Sequence, residues 1–479
     1  PGPVTAPPTS RFRKNWLPGD EKVRNVDGGL LQPGSRLIDA ASGETIGGAE
    51  LRARVGDVAA RLADLPPGAL FARTSIDVPS ILRYLGALEA GRAVALLDPA
   101  LEPEVLAGLV QRFRPAAVLG GDGKPPPGYR SETAAGDAWV REDRGGIEPH
   151  PDLAVLLATS GSTGNPKMVR LSRSAVLANA RSIAEALGIG EDEVAPTTLP
   201  LHYSYGLSVL NSHLAAGAAV LVDGSGIMAR TFWQSVDAHG ATSLAGVPYH
   251  YEILRRLRFS PAAHPGLRTL TQAGGALRPD LVVEFAALMR EAGGCLFVMY
   301  GQTEATARMA VLPPDRLGDR LGSAGVAIPG GSFTIVDGEI VYGGPNVMMG
   351  YAETEAELAG GDELGGVLRT GDLGHLDDEG FLHVTGRVKR IGKVFGVRVN
   401  LDDLERWLAG SAGAAVVPGD DRIAVFLVDA DEAARTAAAK ELAARLHTRS
   451  DAFDVRTVDA LPRLPSGKVD YRLLEAQLR

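Results

Sequence analysis

The sequence has only one cysteine, Cys295, among 479 residues, so an internal disulfide is excluded. It also lacks an apolar run near the 18 residues expected of a membrane-spanning helix. Basic residues are not in excess, because 49 Lys and Arg stand against 58 Asp and Glu, for a net charge of −9. That balance argues against broad binding to nucleic acid or to an anionic membrane. We therefore expect a cytoplasmic protein in a reducing compartment.

Histidine and cysteine form no pattern typical of a metal site. The nine histidines are scattered, and neither HExxH nor a closely spaced His/Cys pair occurs, which argues against a protein-held zinc ion. Apolar residues make up 45% and charged residues 22% of the chain, the mixture of an ordinary globular protein. At roughly 150 residues per domain, the length indicates about three units with cores of their own.

Short apolar runs alternate with helical patterns in much of the sequence. Residues 93–97, 218–222 and 296–299 each follow a segment with a helical pattern. This alternation predicts parallel strands that helices cover on both faces. After about residue 320 the strands become shorter and are separated by Gly and Asp turns, which predicts a small β-rich unit.

These patterns predict an α/β protein with several domains. We expect a large N-terminal domain, residues 1–385, made of two α/β sheet units and the β-rich unit. A small α+β domain, residues 386–479, follows it. Residues 1–35 are rich in Pro and Gly and are interpreted as a surface arm. Residues 121–150 are rich in turn formers and are interpreted as a loop between two α/β units.

The strongest local signal is a loop of hydroxyl and glycine residues that follows an apolar run at 154–158. Glycines let the backbone approach a ligand and expose N–H groups to anionic oxygens. The spacing differs from GxxxxGK[ST], and Pro166 disfavours helical geometry just before the lysine. We interpret the segment as a phosphate-binding loop that comprises Thr159, Ser160, Gly161, Ser162, Thr163, Gly164 and Lys167.

Other motifs occur in a fixed order along the chain. They are a helix-strand element at 84–99, YGQTE at 300–304, RTGD at 369–372, GR at 386–387 and LPSGK at 464–468. Together with the phosphate-binding loop, they resemble the motifs of the adenylate-forming superfamily, which includes acyl-CoA synthetases, nonribosomal peptide adenylation domains and luciferase. The set covers about residues 45–472, and agreement of this many motifs in order by chance is negligible.

The resemblance implies how an ATP site is assembled. Thr303 would contact phosphate, Glu304 would bind Mg²⁺, and Asp372 would accept both ribose hydroxyls. A lone carboxylate suits Mg²⁺, which usually takes one or two carboxylates besides phosphate oxygens and water. The other residues that the resemblance assigns to ATP are Tyr300 against the adenine, Gly301, Gln302, Arg387 at the ribose or phosphates, and the turn of Gly274, Gly275 and Ala276.

Lys468 is the residue on which the predicted catalysis depends most. Its point charge would bridge the substrate carboxylate and the α-phosphate and favour the crowded anionic transition state. By the same resemblance, Lys389 lies at the hinge of a mobile C-terminal domain. Rotation there would move Lys468 out and bring Lys393 in for the second step. Gly396 would leave room in a thiol tunnel for a pantetheine arm.

The resemblance also assigns an acyl pocket. Its residues would be Tyr203, Ser204, Tyr205, Val247 and Tyr249. Ser204 aligns with an Asp that binds the α-ammonium in members that activate amino acids, and a buried ammonium without that carboxylate would lack its partner. An α-amino acid is therefore disfavoured, whereas acyl, aryl and hydroxy acids all stay open.

Taken together, the motifs imply an acid–thiol ligase that uses ATP and Mg²⁺. A small carboxylic acid would form an acyl-adenylate with release of pyrophosphate, and a thiol would then take the acyl group. Since the chain ends soon after Lys468, we expect the thiol from a separate molecule, either CoA or the phosphopantetheine of a separate acyl carrier protein. Two alternatives stay open. One is transfer to a nitrogen or oxygen nucleophile, and the other is a nucleotide-binding regulator, which the joint presence of Lys167, Glu304, Asp372 and Lys468 disfavours.

Overall fold

The computed structural model describes residues 29–132, 137–159, 167–388, 390–394, 397–408, 413–419, 422–446, 448–464 and 467–478. Most of the predicted arm at 1–35 lies outside these residues. Of the helices in the described part of the chain, none is both long and apolar enough to cross a membrane.

Eleven α-helices occur in the described residues. In chain order they are α1 (Gly48–Ala63), α2 (Val78–Glu89), α3 (Pro103–Phe113), α4 (Arg173–Leu187), α5 (Ser204–Ala215), α6 (Arg230–Ala238), α7 (Pro248–Arg256), α8 (Pro279–Glu291), α9 (Leu401–Trp407), α10 (Glu432–Arg445) and α11 (Tyr471–Ala476). Capping residues define several starts. Asp77 accepts a hydrogen bond from the Ser80 amide at 2.7 Å at the start of α2, and so satisfies an amide that has no partner within the helix.

The described strands are mostly short. They are β1 (Arg36–Asp39), β2 (Thr45–Gly47), β3 (Leu70–Arg73), β4 (Val94–Leu97), β5 (Ala117–Leu119), β6 (Tyr129–Glu132), β7 (Ala138–Arg141), β8 (Leu153–Thr159), β9 (Lys167–Ser172), β10 (Val194–Pro196), β11 (Ala219–Val222), β12 (Ser243–Gly246), β13 (Thr269–Gln272), β14 (Cys295–Tyr300), β15 (Ala310–Leu312), β16 (Val326–Ala327), β17 (Ser332–Val336), β18 (Glu339–Gly343), β19 (Gly350–Ala352), β20 (Val367–Leu376), β21 (Leu382–Arg387), β22 (Ile391–Val394), β23 (Val397–Asn400), β24 (Ala414–Pro418), β25 (Ile423–Val428) and β26 (Phe453–Val458).

The largest sheet has eight strands in the order β19-β9-β8-β4-β3-β5-β7-β6. Its centre, from β8 to β5, is parallel, as the continuous apolar runs predict for strands covered on both faces. The interpretation of 121–150 as a loop is wrong, because β6 pairs with β7 and β7 pairs with β5. All four residues of β7 are buried, but so short an edge pair has too little periodicity to stand out in the sequence.

A second sheet, β12-β13-β14-β15-β16, contains three adjacent parallel strands. A third, β10-β11-β1-β2, is parallel except at β2. Cys295 begins β14, and desolvation raises the pKa of its partly buried thiol to about 11. The predicted fold class, α/β with several sheets, is confirmed.

The β-rich unit predicted after residue 320 contains a four-stranded antiparallel sheet, β17-β18-β20-β21. Its register places Asp372 on β20 opposite Arg387 on β21. Strand β21 runs through Arg387, and so continues two residues past the predicted boundary at 385.

The last part of the chain has a core of its own. A hairpin, β22-β23, precedes a three-stranded sheet, β24-β25-β26. Helices α9 and α10 pack against that sheet through a cluster that includes Leu404, Val425 and Leu442. All buried members of the cluster lie at or beyond Val399, which supports a separate α+β unit here, while its boundary stays a prediction.

Candidate active site

Two segments emerge from the carboxyl ends of neighbouring parallel strands. Residues 273–276 follow β13, and residues 301–304 follow β14. Because the carboxyl ends of adjacent parallel strands lie at one edge of the sheet, both segments reach the same crevice. We call the space between these segments, Asp372 and Lys468 the cleft.

Asp372 forms a fixed polar cluster at the side of the cleft. The Tyr300 hydroxyl donates to Asp372 Oδ2 at 2.5 Å, and Arg387 Nε donates to Oδ1 at 3.0 Å. Asp372 is 5% exposed, while the Arg387 side chain is 61% exposed. Burial and the nearby Asp372 charge raise the pKa of Tyr300, so its hydroxyl stays a donor. Both carboxylate oxygens keep further acceptor capacity toward a ligand.

The turn after β13 brings bare backbone to the cleft. Gly274 has φ +86°, and a Cβ there would lie 2.4 Å from the Tyr203 hydroxyl, so another residue would be strained and crowded. Gln272 fixes the turn by donating from Nε2 to the Gly275 carbonyl at 2.7 Å. Gly275 and Ala276 are exposed. The turn thus offers a flat, open surface against which a planar ring can lie.

Thr303 and Glu304 lie in a short 3₁₀ turn directly beyond β14. The Thr303 hydroxyl is 3.1 Å from the Ser204 hydroxyl, and Tyr351 donates to Glu304 Oε1 at 2.8 Å. Gly301 allows the preceding bend, because a Cβ there would meet the Ala307 carbonyl oxygen at 1.8 Å. The described residues contain no group of three or more His, Cys, Asp or Glu that could hold a metal. A Mg²⁺ ion at Glu304 therefore fits only as one that takes its other ligands from phosphate and water.

Lys167, the last residue of the predicted phosphate-binding loop, begins β9 beside the cleft. It forms an ion pair with Glu353 at 2.6 Å, and both side chains are about half exposed. Strand β19 pairs with β9, and Glu353 follows it directly. Tyr351, which donates to Glu304, lies on this strand. Strand β19 and the residue after it thus supply the partners of both Lys167 and Glu304. An exposed ion pair contributes roughly 0–1 kcal/mol, so Lys167 can exchange this partner for phosphate at little cost.

Lys468 reaches the cleft from the C-terminal part of the chain. Its ammonium is 5.8 Å from the centroid of the Tyr203 ring. The preceding Gly467 has φ +78°, and a Cβ there would lie 2.7 Å from Val247 Cγ2. Glycine thus permits the close approach that brings the lysine to the wall of the predicted acyl pocket.

The charge environment of Lys468 joins it to the nucleotide side of the cleft. Its pKa is lowered by desolvation and, second, by the positive charge of Arg387, while Glu304 and Asp372 oppose the shift. Arg463, on the same segment, lies 4.6 Å from the centroid of the Tyr249 ring and donates to Glu252 at 3.2 Å.

The two tyrosines of the predicted acyl pocket meet edge to face, with ring centroids 6.4 Å apart. Tyr205 is buried and its hydroxyl donates to the Thr271 carbonyl at 2.9 Å. Burial raises the pKa of Tyr203 to about 12, so this hydroxyl is neutral and able to donate. The pair therefore forms an aromatic wall with one polar tip, that of Tyr203.

The structure brings most of the predicted site residues to one cleft. Those outside the described residues are Ser160, Gly161, Ser162, Thr163, Gly164, Lys389 and Gly396. Thr159 ends β8, and Lys393 lies in β22, but only their backbone is described. Sequence reasoning missed Tyr351, Arg463 and Arg308. Arg308 had a visible signal, as a lone charge in the otherwise uncharged segment 305–312.

Comparisons with known proteins agree with this arrangement. A family model described as "AMP-binding enzyme" matches residues 32–352. An indoleacetate–CoA ligase of Aromatoleum aromaticum is 30% identical over 383 residues, which cover 74% of this chain and 73% of that protein. Several curated relatives are matched over about two thirds of their own length.

Solved structures give the same picture over more of the chain. ATP-bound MatB from Rhodopseudomonas palustris has a TM-score of 0.74 at 26% identity, covering 93% of this chain and 96% of that chain. An o-succinylbenzoate coenzyme A synthetase (MenE) from Bacillus subtilis, in complex with ATP and magnesium ion, has a TM-score of 0.71 at 25% identity, covering 92% and 96%.

Proposed function

Because the chain belongs to the AMP-binding enzyme family, we propose that it joins a small carboxylic acid to the thiol of CoA through an acyl-adenylate. The family and fold class predicted from the sequence are confirmed. At the level of the family, the relatives bear out the predicted enzyme class and its use of ATP, Mg²⁺ and CoA. They also argue against the alternative of a regulator without catalysis.

One observation carries the proposal for this chain. A lysine ammonium from the C-terminal segment and the carboxylate of Asp372 from the β-rich sheet face the same cleft. A protein that only binds a nucleotide has no evident need of the lysine. A protein that brings a carboxylate to a phosphate needs a cation where the two anions meet.

In the first step, the acid's carboxylate oxygen bonds to the α-phosphorus of ATP, and the bond to the bridging oxygen of pyrophosphate breaks. Lys468 would lie between the two anions and favour the transition state, in which their charges are closest. Asp372 would accept the ribose hydroxyls, and the turn at 274–276 would support the adenine, so that the reacting atoms are held in line. A Mg²⁺ ion bound at Glu304 would neutralise charge on the phosphates.

In the second step, the thiol would lose its proton, its sulfur would bond to the acyl carbonyl carbon, and the bond between that carbon and the phosphate oxygen of AMP would break. We propose that Lys389 is the hinge of this exchange and that Lys393 and Gly396 serve the thiol. The described contacts of the Lys468 segment support such an exchange, because they include a partly exposed ion pair and two cation–π contacts, each of which is weak. The names of the relatives favour CoA as acceptor. A carrier-protein phosphopantetheine and a nitrogen or oxygen nucleophile are tested as alternatives.

The test separates activation from transfer. Purified protein is assayed for exchange of labelled pyrophosphate into ATP over a broad acid library, and each active acid is then supplied with CoA, with a phosphopantetheinylated carrier protein, or with hydroxylamine. We expect acid-dependent exchange, and a thioester with CoA. Exchange with an acyl hydroxamate but no thioester from either thiol would support the nitrogen or oxygen acceptor. Absence of exchange with every acid would contradict the proposed function.

A second variant tests the proposed thiol tunnel. A bulky side chain in Gly396→Phe should block the pantetheine arm and abolish thioester formation while pyrophosphate exchange survives. The control is Gly318→Phe, in an exposed turn where a Cβ would meet no atom within 4 Å. Loss of exchange with retained thioester formation in Gly396→Phe would contradict this assignment.

A further inference from the structure

We propose that the acid activated by this protein carries a second anionic group, and that this group binds Arg308 beyond the aromatic wall of the acyl pocket. The inference rests on the proposed function and narrows its substrate class to dicarboxylic acids and related acids with a remote anion.

Arg308 is a buried cation with few partners. It is 2% exposed, and its guanidinium donates to the Ser208 hydroxyl at 3.2 Å and stacks 4.4 Å from the centroid of the Tyr205 ring. Its Nε is buried and has no hydrogen-bond partner. Among the residues that the structure describes, no carboxylate forms an ion pair with it. A guanidinium buried in this way is costly unless something pairs with it.

Another arginine of the same chain shows what a satisfied buried guanidinium looks like. Arg170 is fully buried, and it donates to the carbonyls of Tyr351 at 3.2 Å and Gly360 at 2.5 Å and to the Glu363 carboxylate. Here every nitrogen has an acceptor supplied by the protein. Arg308 lacks such a set, which points to an acceptor that arrives with a ligand.

The electrostatics of Arg308 agree with the missing anion. Burial lowers its pKa, and the groups that oppose this shift are the hydroxyls of Tyr205 and Tyr203, not a carboxylate. The backbone at Arg308 is fixed, because its carbonyl accepts hydrogen bonds from the side-chain amides of Asn179 at 2.9 Å and Asn346 at 3.0 Å. The main chain that carries Arg308 is therefore anchored by two side chains.

The position of Arg308 relates it to the acyl pocket. The Lys468 ammonium lies over Tyr203, Tyr203 meets Tyr205, and Arg308 stacks on Tyr205. Each of the two tyrosines therefore has a cation against its ring, Lys468 at Tyr203 and Arg308 at Tyr205. An acid whose reacting carboxylate is at Lys468 would direct its remote end along this wall toward Arg308.

A small cavity adjoins the guanidinium. Its wall is mixed, with the side chains of Val209, Ser212, His213 and Thr271 next to Arg308. Glu193 also borders the cavity, but its carboxylate already pairs with Arg268 at 3.0 Å. The cavity therefore offers donors and apolar surface together with one unneutralised cation.

The test uses pairs of acids that differ only at the remote end. Diacids from malonate to adipate, and terephthalate, are compared in pyrophosphate exchange with the acids that carry a methyl group or a primary amide in place of the second carboxylate. We expect one or two diacids to exceed their methyl matches by about 100-fold in kcat/KM, as for a buried charge pair. Methyl acids that work as well as or better than every diacid would overturn the inference and leave the proposed function intact. If no acid of any kind supports exchange, both fail.

Variants of Arg308 identify the cation responsible. Arg308→Met keeps the length and removes the charge, so it should lose the preference for the diacid by about 100-fold, with a much larger fall in kcat/KM for the diacid than for the methyl acid. Arg308→Lys should retain a preference for the diacid, and so should Ser208→Ala, which removes only the protein partner. A preference that survives in Arg308→Met, or an equal loss with both acids, would overturn the inference.

If Arg308→Met has little activity, binding of the acids is measured instead as the shift in melting temperature that each one causes. The preferred diacid should raise the melting temperature of the original protein and of Arg308→Lys more than its methyl match does. Should Arg308→Met fail to fold, Arg308→Lys and the acid pairs remain decisive. Equal shifts from the diacid and its methyl match would overturn the inference.

Discussion

The two sides of the cleft are held in different ways. On the nucleotide side, Asp372 is buried and receives hydrogen bonds from Tyr300 and Arg387, which reach it from different strands. On the other side, Lys468 rests over one tyrosine ring, and Arg463 reaches across to Glu252. The first side is part of the folded core, and the second is a surface contact between two units.

This difference in how firmly the two sides are held matches the role proposed for each side. A group that fixes the nucleotide gains from a rigid setting, because its geometry is ready before the reaction. A segment that must leave between two steps gains from weak contacts. A partly exposed ion pair contributes roughly 0–1 kcal/mol, and a cation–π contact at the surface about 0.5–1 kcal/mol, so undocking costs little.

The largest expected effect tests the movable side. Lys468→Ala should reduce pyrophosphate exchange by about 10²–10³-fold, as removal of a group that stabilises developing charge does. Transfer to CoA from a supplied acyl-adenylate should continue, because the lysine is needed only for the first step. The control is Lys440→Ala, an exposed lysine on α10 of the same unit. Equal loss in both steps would contradict the assigned role.

The next effect tests the rigid side. Asp372→Asn turns an NH₂ group toward either Tyr300 or Arg387, both of which donate to the native carboxylate. The KM for ATP should rise about 10–100-fold, the loss of a hydrogen bond to a charged group. The KM for the acid should stay the same. Asp378→Asn, in an exposed turn of the same sheet, is the control, and an unchanged KM for ATP in Asp372→Asn would contradict ribose binding.

A pH profile tests whether pyrophosphate exchange depends on the positive charge of Lys468. Its lowered pKa means that the ammonium loses its proton below the ordinary value of 10.5. Exchange measured as kcat/KM should therefore fall as the pH rises through that pKa, because only the protonated form carries the charge. In Lys468→Arg the guanidinium stays charged, so the fall should move to higher pH. The same alkaline limb in both proteins would assign it to another group.

The smallest effect measures how weakly the movable side is docked. Arg463→Ala and Glu252→Ala should each reduce exchange by up to about fivefold, and the double variant should lose no more than either one. Arg456→Ala removes an ion pair with Asp454 that lies within the C-terminal unit, so it is the matched control. A loss of 100-fold or more would show tight docking and would break the contrast between the two sides.

Local pattern predicted much of the architecture. The apolar runs at 93–97, 218–222 and 296–299 predict strands, and the structure has β4, β11 and β14 at those positions. The pair β6 and β7 was missed because β7 pairs with β5, from which β6 separates it in sequence. Short edge strands depend on the sheet that they join more than on their own residues.

For the candidate site, too, local motifs were predictable from the sequence and contacts between distant residues were not. Motif order identified Tyr300 and Asp372, but their hydrogen bond joins residues 72 positions apart, and no single sequence displays such a contact. Arg308 was overlooked because a charged residue in an apolar stretch gives no hint of what lies opposite it. Whether such a residue is neutralised depends on every segment that folds around it.

The single cysteine has a practical consequence for studying the movement of the C-terminal unit. Cys295 is partly buried, and with a thiol pKa near 11 it is almost wholly protonated at neutral pH, a form that reacts slowly with maleimides. Cysteines introduced at two exposed positions would therefore take up a donor and an acceptor dye without removal of the natural one, and the changing distance across the cleft could be followed in single molecules during turnover.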